Sequence, residues 1–283
     1  MNNLFADMGQ DKGGSKEVII RKKEQKKGRI LSGNLMVKAC SILSPFLFLV
    51  LWEVLSKSDV IDKRLFSTPS LILKTMIQLL ATGELFYHVW ISVFRIILGF
   101  LLGAVPGVIL GLSMGLFPLV RSFLKPIVSA AFPIPKLALM PLILIIFGLG
   151  EASKVVTIAL GVFFLVLINT MAGVMNIEQI YVDVARNFGA GKKEFYLTVA
   201  LPGALPVIFA GFKIAMGTAL LLIVAAELSA ARAGIGWMIW RAYDMFDIEK
   251  MFSGLIIMSF LGFIFSYCLD LIEKWVIPWK NRE

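Results

Sequence analysis

Histidine and cysteine are nearly missing from this 283-residue sequence, which holds one histidine and two cysteines. Both cysteines, Cys40 and Cys268, sit inside apolar runs, which argues against a disulfide scaffold and against a cysteine-based metal site. The lone His88 permits no metal cluster and no Ser-His-Asp or Cys-His arrangement beyond a single candidate base. Its place two residues before Trp90, at the edge of an apolar run, is that of an interfacial residue. A Gly-rich phosphate loop ending in Gly-Lys-Ser/Thr is also missing, so ATP chemistry of that kind is not expected in this chain. No catalytic residue, metal or cofactor is assigned. Charge is scarce too: 17% of residues are charged, where a soluble domain has about a quarter.

What remains is apolar. Hydrophobic residues make up 58% of the chain and the mean hydropathy is +0.85, so part of the apolar surface must face lipid. The net charge of +9 is uneven, with Lys12, Lys16, Arg21, Lys22, Lys23, Lys26, Lys27 and Arg29 crowded near the start. A nucleic-acid partner is not expected, because this tail leads straight into a membrane segment, where basic flanks set topology. A cleaved signal peptide does not fit either. The tail is long, contains Asp7, Asp11, Glu17 and Glu24, and precedes a run of spanning length. Residues 1–34 are expected to form a basic cytoplasmic tail, and residues 35–283 an all-α integral membrane domain.

A helix needs about 20 mainly apolar residues to cross the hydrocarbon core, and about six segments qualify. They run from Met36 to Leu55, His88 to Leu116, Leu124 to Phe147, Val155 to Val174, Leu205 to Leu228 and Met251 to Val276. The third is interrupted by Pro133, Pro135 and Pro141. The basic tail places the N-terminus in the cytoplasm, and an even count returns the C-terminus, with Lys274, Lys280 and Arg282, to the same side. Lys57, Lys63, Arg64 and Lys74 then fall outside, against the trend.

In the second segment Gly99, Gly103, Gly107, Gly111 and Gly115 recur every fourth residue, on one slowly drifting helical face. Glycine there lets another backbone come close. The neighbour is either another helix of the same chain or a second subunit. Pro106 lies inside the stretch and should kink the helix or free a carbonyl.

The cytoplasmic loop over about 177–203 is too long for a tight turn and too patterned for a linker. Ile180, Val184 and Phe188 share a face at i, i+4, i+8 spacing, which predicts a short amphipathic helix. Gly189 and Gly191 break it. Phe195, Tyr196 and Val199 predict a second, and Leu201-Pro202 closes the loop. Two short helices about a glycine hinge form a socket for a soluble partner.

This loop resembles the cytoplasmic signature of permeases from binding-protein-dependent ATP-driven importers: EAA, three residues, G, nine residues, I, one residue, LP. The chain has Asp183-Val184-Ala185, Gly189, Val199 and Leu201-Pro202 in that spacing. Asp for Glu, Val for the first Ala and Val for Ile depart from the pattern but keep charge sign or apolar character. The stretch from Pro135 to Lys154, Leu201 to Pro206, and Ala226 to Gly236 are similar to the nitrate, sulfonate and taurine branch, and the likeness covers roughly residues 65 to 275.

The resemblance implies a type I ABC importer permease-like fold in a bacterial-type inner membrane, multi-pass, with both termini cytoplasmic. It implies a permease subunit, not an enzyme, which forms the path for a small solute of nitrate, sulfonate or taurine type. ABC ATPase subunits, an extracytoplasmic solute-binding protein and a second permease copy, as a homodimer, are the implied partners beside the lipid bilayer. Asp183, Ala185, Gly189, Val199, Leu201 and Pro202 would couple to the ATPase.

Charges inside spans are costly and often functional. Arg95 either lines the pathway, or snorkels or pairs with a carboxylate. Lys213 is expected to snorkel or anchor the loop, and Glu53 to end the first span. Glu227 is the candidate outer gate or binding-protein contact. Two other classes compete. An ion-coupled secondary carrier would favour an internal repeat and midplane acids; an integral-membrane enzyme would need clustered catalytic groups at one face. Neither pattern is evident.

Overall fold

The computed structural model describes residues 43–58, 60–62 and 65–279. The expected basic tail over 1–34, the start of the first span at Met36, Cys40, Lys63, Arg64, Lys280 and Arg282 lie outside the described residues. The chain divides into two packing units, Met1–Ser70 and Leu71–Glu283.

In the first unit α1 covers 43–57 and carries exposed apolar residues such as Phe46, Leu47 and Leu51. Its far end is polar. The Glu53 carboxylate meets Lys57 Nζ at 2.8 Å and accepts from Ser70 N at 3.0 Å and Ser70 Oγ at 2.7 Å.

The second unit is helical throughout its described elements. After α2 (Pro69–Ala81) come α3 (Glu84–Leu116), α4 (Pro118–Ala131), a 3₁₀ turn (Lys136–Leu139), α5 (Met140–Phe147) and α6 (Glu151–Met175). Then follow α7 (Gln179–Asn187), α8 (Lys192–Phe195), a π turn (Tyr196–Ala200), α9 (Leu201–Ala230), α10 (Ile235–Asp244) and α11 (Ile248–Val276).

Among the described residues four helices are long and apolar enough to cross a membrane: α3, α6, Tyr196–Ser229 and α11. A fifth exists only as a broken pair, α4 with Lys136–Phe147, bent by 84°. The interrupted third span expected over 124–147 falls on this pair, with its break at the first two prolines. Pro133 and Pro135 supply no backbone donor at the break, and Pro135 is extended with ψ 116°, so the helix cannot continue.

The centre of the unit is the packing of α3, α6 and α9. Ile96 and Phe100 of α3, Ile158 and Val162 of α6, and Ala219 and Ile223 of α9 share one buried cluster. The glycine stripe of α3 faces α6 within the chain. A Cβ added at Gly99 would lie 2.7 Å from Ile158 Cβ, and one at Gly115 would lie 2.6 Å from Val174 Cβ. At Gly103 it would press on the Ala159 carbonyl and stand 2.9 Å from Val162 Cβ. The backbones meet too closely for any side chain there.

Two helices occupy segments read from the sequence as loop. α2 buries Ile72 and Leu79, and Leu79 packs with Leu85 and Met238. α10 buries Ile235, Met238, Ile239 and Ala242 against its neighbours.

Candidate functional site

Polar groups gather at both ends of the α3–α6–α9 core. At one end α3 presents His88, Ser92 and Arg95, spaced four and three residues apart so that they share a face. α9 ends there with Glu227, and α6 begins there with Glu151. Arg95 is 2% exposed and Glu227 is fully buried, whereas the Glu151 side chain is 60% exposed.

The Arg95 guanidinium joins all three helices. Its Nη1 donates to Glu227 Oε1 at 2.7 Å and to the Ala233 carbonyl at 2.7 Å. Its Nε and Nη2 grip Glu151 as a fork, at 2.5 Å and 2.6 Å. Such bidentate charge-assisted bonds are strong and directional.

Glu227 is held further by Ser92 Oγ at 2.8 Å and 3.0 Å, and by Gly236 N at 2.8 Å. The α9–α10 turn is strapped over this carboxylate. Ile235 N donates to Ser92 Oγ at 2.8 Å, and Gly234 N donates to His88 Nδ1 at 3.1 Å. Gly234 has φ +120°, and a side chain there would run into the Glu227 carboxylate, so glycine is required on both counts. His88 is 4% exposed, and its ring lies 5.3 Å from that of Trp237. The ring is packed inside the chain at the start of α3, where it serves as the acceptor for a buried amide. The Glu227 side chain is fully buried beside it.

Two cavities flank Glu151. One of about 400 Å³ is bounded by Tyr87, Trp90, Phe94, Arg95, Glu151 and Arg232. The other, of about 490 Å³, adjoins Glu151, Lys154, Ser229 and Arg232. Lys154 is 1% exposed and donates to the Leu149 and Gly150 carbonyls at 3.0 Å and 2.9 Å.

At the opposite end of α6 and α9 lies the connection over 177–203. α7 ends at Asn187, and Gly189 takes the left-handed conformation with φ +73°. Gly189 N donates to the Arg186 carbonyl at 3.0 Å and Ala190 N to the Ala185 carbonyl at 3.0 Å. This pair of bonds is a Schellman closure, which glycine adopts without a Cβ penalty. The chain then re-enters helix as α8 and runs through the π turn into α9.

The two halves of the connection enclose an apolar groove of about 580 Å³, lined by Tyr181, Ala185, Phe188, Val199, Pro202 and Trp279. Of the residues singled out by spacing, Ala185, Val199 and Pro202 meet on this groove. Asp183 is exposed on α7 and accepts from Gln179 Nε2 at 2.9 Å. Gly189 forms the turn, and Leu201 packs into the cluster around Val174 and Ala204. Phe188 is 87% exposed. Trp279 arrives from the far end of the chain, so no local spacing could place it there.

Lys213 lies between the two ends. Its Nζ meets two α11 carboxylates, Asp270 and Glu273.

Comparison with known proteins matches residues 107–282 to the family described as binding-protein-dependent transport system inner membrane component. The provisionally named aliphatic sulfonates transport permease SsuC of Bacillus subtilis is 35% identical over 85% of this chain and 87% of its own. The taurine transport system permease TauC of Escherichia coli is 31% identical over 83% of this chain and 87% of its own. Among solved structures, an inward-facing form of the MetNI methionine ABC transporter matches with a TM-score of 0.60 at 20% identity. That match covers 71% of this chain and 98% of the other, and it shows a shared fold.

Proposed function

This chain belongs to the family of inner membrane components of binding-protein-dependent transport systems, so it is the permease subunit of an ATP-driven importer, and from that premise we propose how it couples and what it carries. It is a multi-pass membrane protein with the type I permease fold. ATP is hydrolysed by separate ATPase subunits that dock on the connection over 177–203. Ala185, Val199 and Pro202 line their socket, Asp183 offers a charge beside it, Leu201 ties it to the core and Gly189 sets its angle. The chain works as a homodimer, with two ATPase subunits on the cytoplasmic side, where both termini also lie. An extracytoplasmic solute-binding protein delivers the solute.

The solute is a small anion of the sulfonate type. The named relatives support this, and so does the cationic group Arg95, Lys154 and Arg232 at the end remote from the connection. Arg95 and Glu227 act there as an outer gate. A carrier working alone and a membrane enzyme are set aside, because the relatives are permease components of importers.

The observation that carries the coupling reading is the Gly189 turn between two short helices, with the signature spacing wrapped around one groove. Its test is co-purification of the tagged chain with its ATPase, comparing wild type with Gly189→Trp and with deletion of residues 190–198. Wild type should retain the ATPase in detergent, and both variants should lose it while still inserting. Equal retention by the variants, or none by wild type, ends this reading.

A further inference from the structure

We propose that Glu151 is a built-in stand-in for an oxyanion, and that the charged group of a small sulfonate takes its place on Arg95 during transport. This rests on the importer reading and names the place where the solute's charge is held.

The two carboxylates on Arg95 are not equivalent. Glu227 is fully buried and is fastened by Ser92 and Gly236 as well as Arg95. Glu151 is 60% exposed, and its hydrogen bonds among the described residues come only from the Arg95 fork. Removing the Glu151 carboxylate leaves Arg95 anchored through Nη1 to Glu227 and Ala233. Nε and Nη2 then point at the cavity as a preset fork. A guanidinium fork binds any group offering two oxygens at carboxylate spacing, and sulfonate does so.

The surroundings suit exchange. The cavity of about 400 Å³ beside the fork has Tyr87, Trp90 and Phe94 on its wall, room for a short aliphatic body next to the charge. The displaced carboxylate is not stranded, because Lys154 and Arg232 border the adjoining cavity together with Glu151. Lys154 Nζ donates to carbonyl oxygens, which leaves its charge open to a carboxylate. Arg95, Lys154 and Arg232 face only Glu151 and Glu227 within this cluster, so one added monovalent anion brings it to neutrality. An internal carboxylate that vacates its cation also keeps that cation from standing bare when no solute is present.

The test uses the full chain in lipid nanodiscs, titrated with methanesulfonate at constant ionic strength and followed by tryptophan fluorescence, with Trp90→Phe identifying the local signal. Chloride and the neutral isostere dimethyl sulfone are the controls. Glu151→Gln is on an exposed position and should fold; it should tighten methanesulfonate about tenfold. Adding Arg95→Lys, which keeps the charge but lacks the fork, should abolish that gain. The proposal is overturned if Glu151→Gln binds no tighter than wild type, if the gain survives Arg95→Lys, or if chloride and dimethyl sulfone reproduce it. Loss of ATPase co-purification by the wild type would instead remove the importer reading, so the two failures are distinct.

Discussion

Lys213 of α9 and Glu273 of α11 meet at 2.6 Å across sixty residues of sequence, and Asp270 closes on the same ammonium at 2.5 Å. The Glu273 side chain is 10% exposed and that of Lys213 is 36% exposed. Removing the cation leaves two carboxylates against each other inside apolar helices. Lys213→Met should cost about 2 kcal/mol, below the roughly 3–5 kcal/mol of a fully buried pair because these side chains are only partly buried by the rest of the chain. Thermal unfolding in detergent measures the loss. Combining Lys213→Met with Asp270→Asn and Glu273→Gln should recover most of it, since the three groups act as one network.

The α3–α6 seam predicts a contrast between two glycine-to-alanine changes. At Gly103 the new Cβ meets the Ala159 carbonyl and Val162, so the helices must part; overpacking of this kind costs about 1–3 kcal/mol. At Gly217 a Cβ meets nothing within 4 Å. There alanine should be neutral or raise stability by up to about 1 kcal/mol through helix propensity. Parallel melting curves of the two purified variants decide it, and equal destabilisation would contradict the seam.

Gly189 predicts a graded series in ATPase coupling. Its φ of +73° is tolerated by asparagine and resisted by β-branched residues. Gly189→Asn should retain ATPase binding within about threefold, and Gly189→Val should lose at least about tenfold by distorting the turn. Affinity of the reconstituted complex, measured alongside membrane insertion, separates the two.

Glu227 and Glu151 should differ sharply in their effect on folding. Glu227→Ala removes the buried acceptor shared by Arg95 Nη1, Ser92 Oγ and Gly236 N and should cost about 3–5 kcal/mol. Glu151→Gln keeps a hydrogen-bonding group at a mostly exposed position and should cost under about 1 kcal/mol. Melting temperatures of the two variants check this directly.

The long helices were legible because unbroken apolar length is a strong signal, and the four-residue glycine repeat announced a close helix contact. The signature spacing found the connection over 177–203 and its turn residue. Other features were hidden for physical reasons. α10 is ten residues long and mixes buried and exposed positions, so no window of spanning length reveals it. The prolines at 133 and 135 warned of an interruption but not of an 84° bend, which depends on what packs on either side. Arg95 was visible as a charge inside an apolar run; its partners were not. Glu151 lies 56 residues and Glu227 132 residues further along the chain, and neither differs locally from an ordinary helix-end acid. The packing of His88 was hidden because the buried amide of Gly234 that needs it is 146 residues away.

From Tyr196 to Ser229 the chain is one continuous apolar helix of 34 residues. At 1.5 Å per residue it is a shaft about 50 Å long. One end borders the apolar groove beside Val199 and Pro202; the other carries Glu227, locked to Arg95. Such a shaft is a lever. A tilt of about 10° at the groove end sweeps the far end through roughly 9 Å, by the same length. That stroke is larger than any hydrogen bond around Glu227 can span. On the proposed coupling, a small push on the connection arrives at the opposite end as a displacement that the buried ion pairs either resist as a block or release.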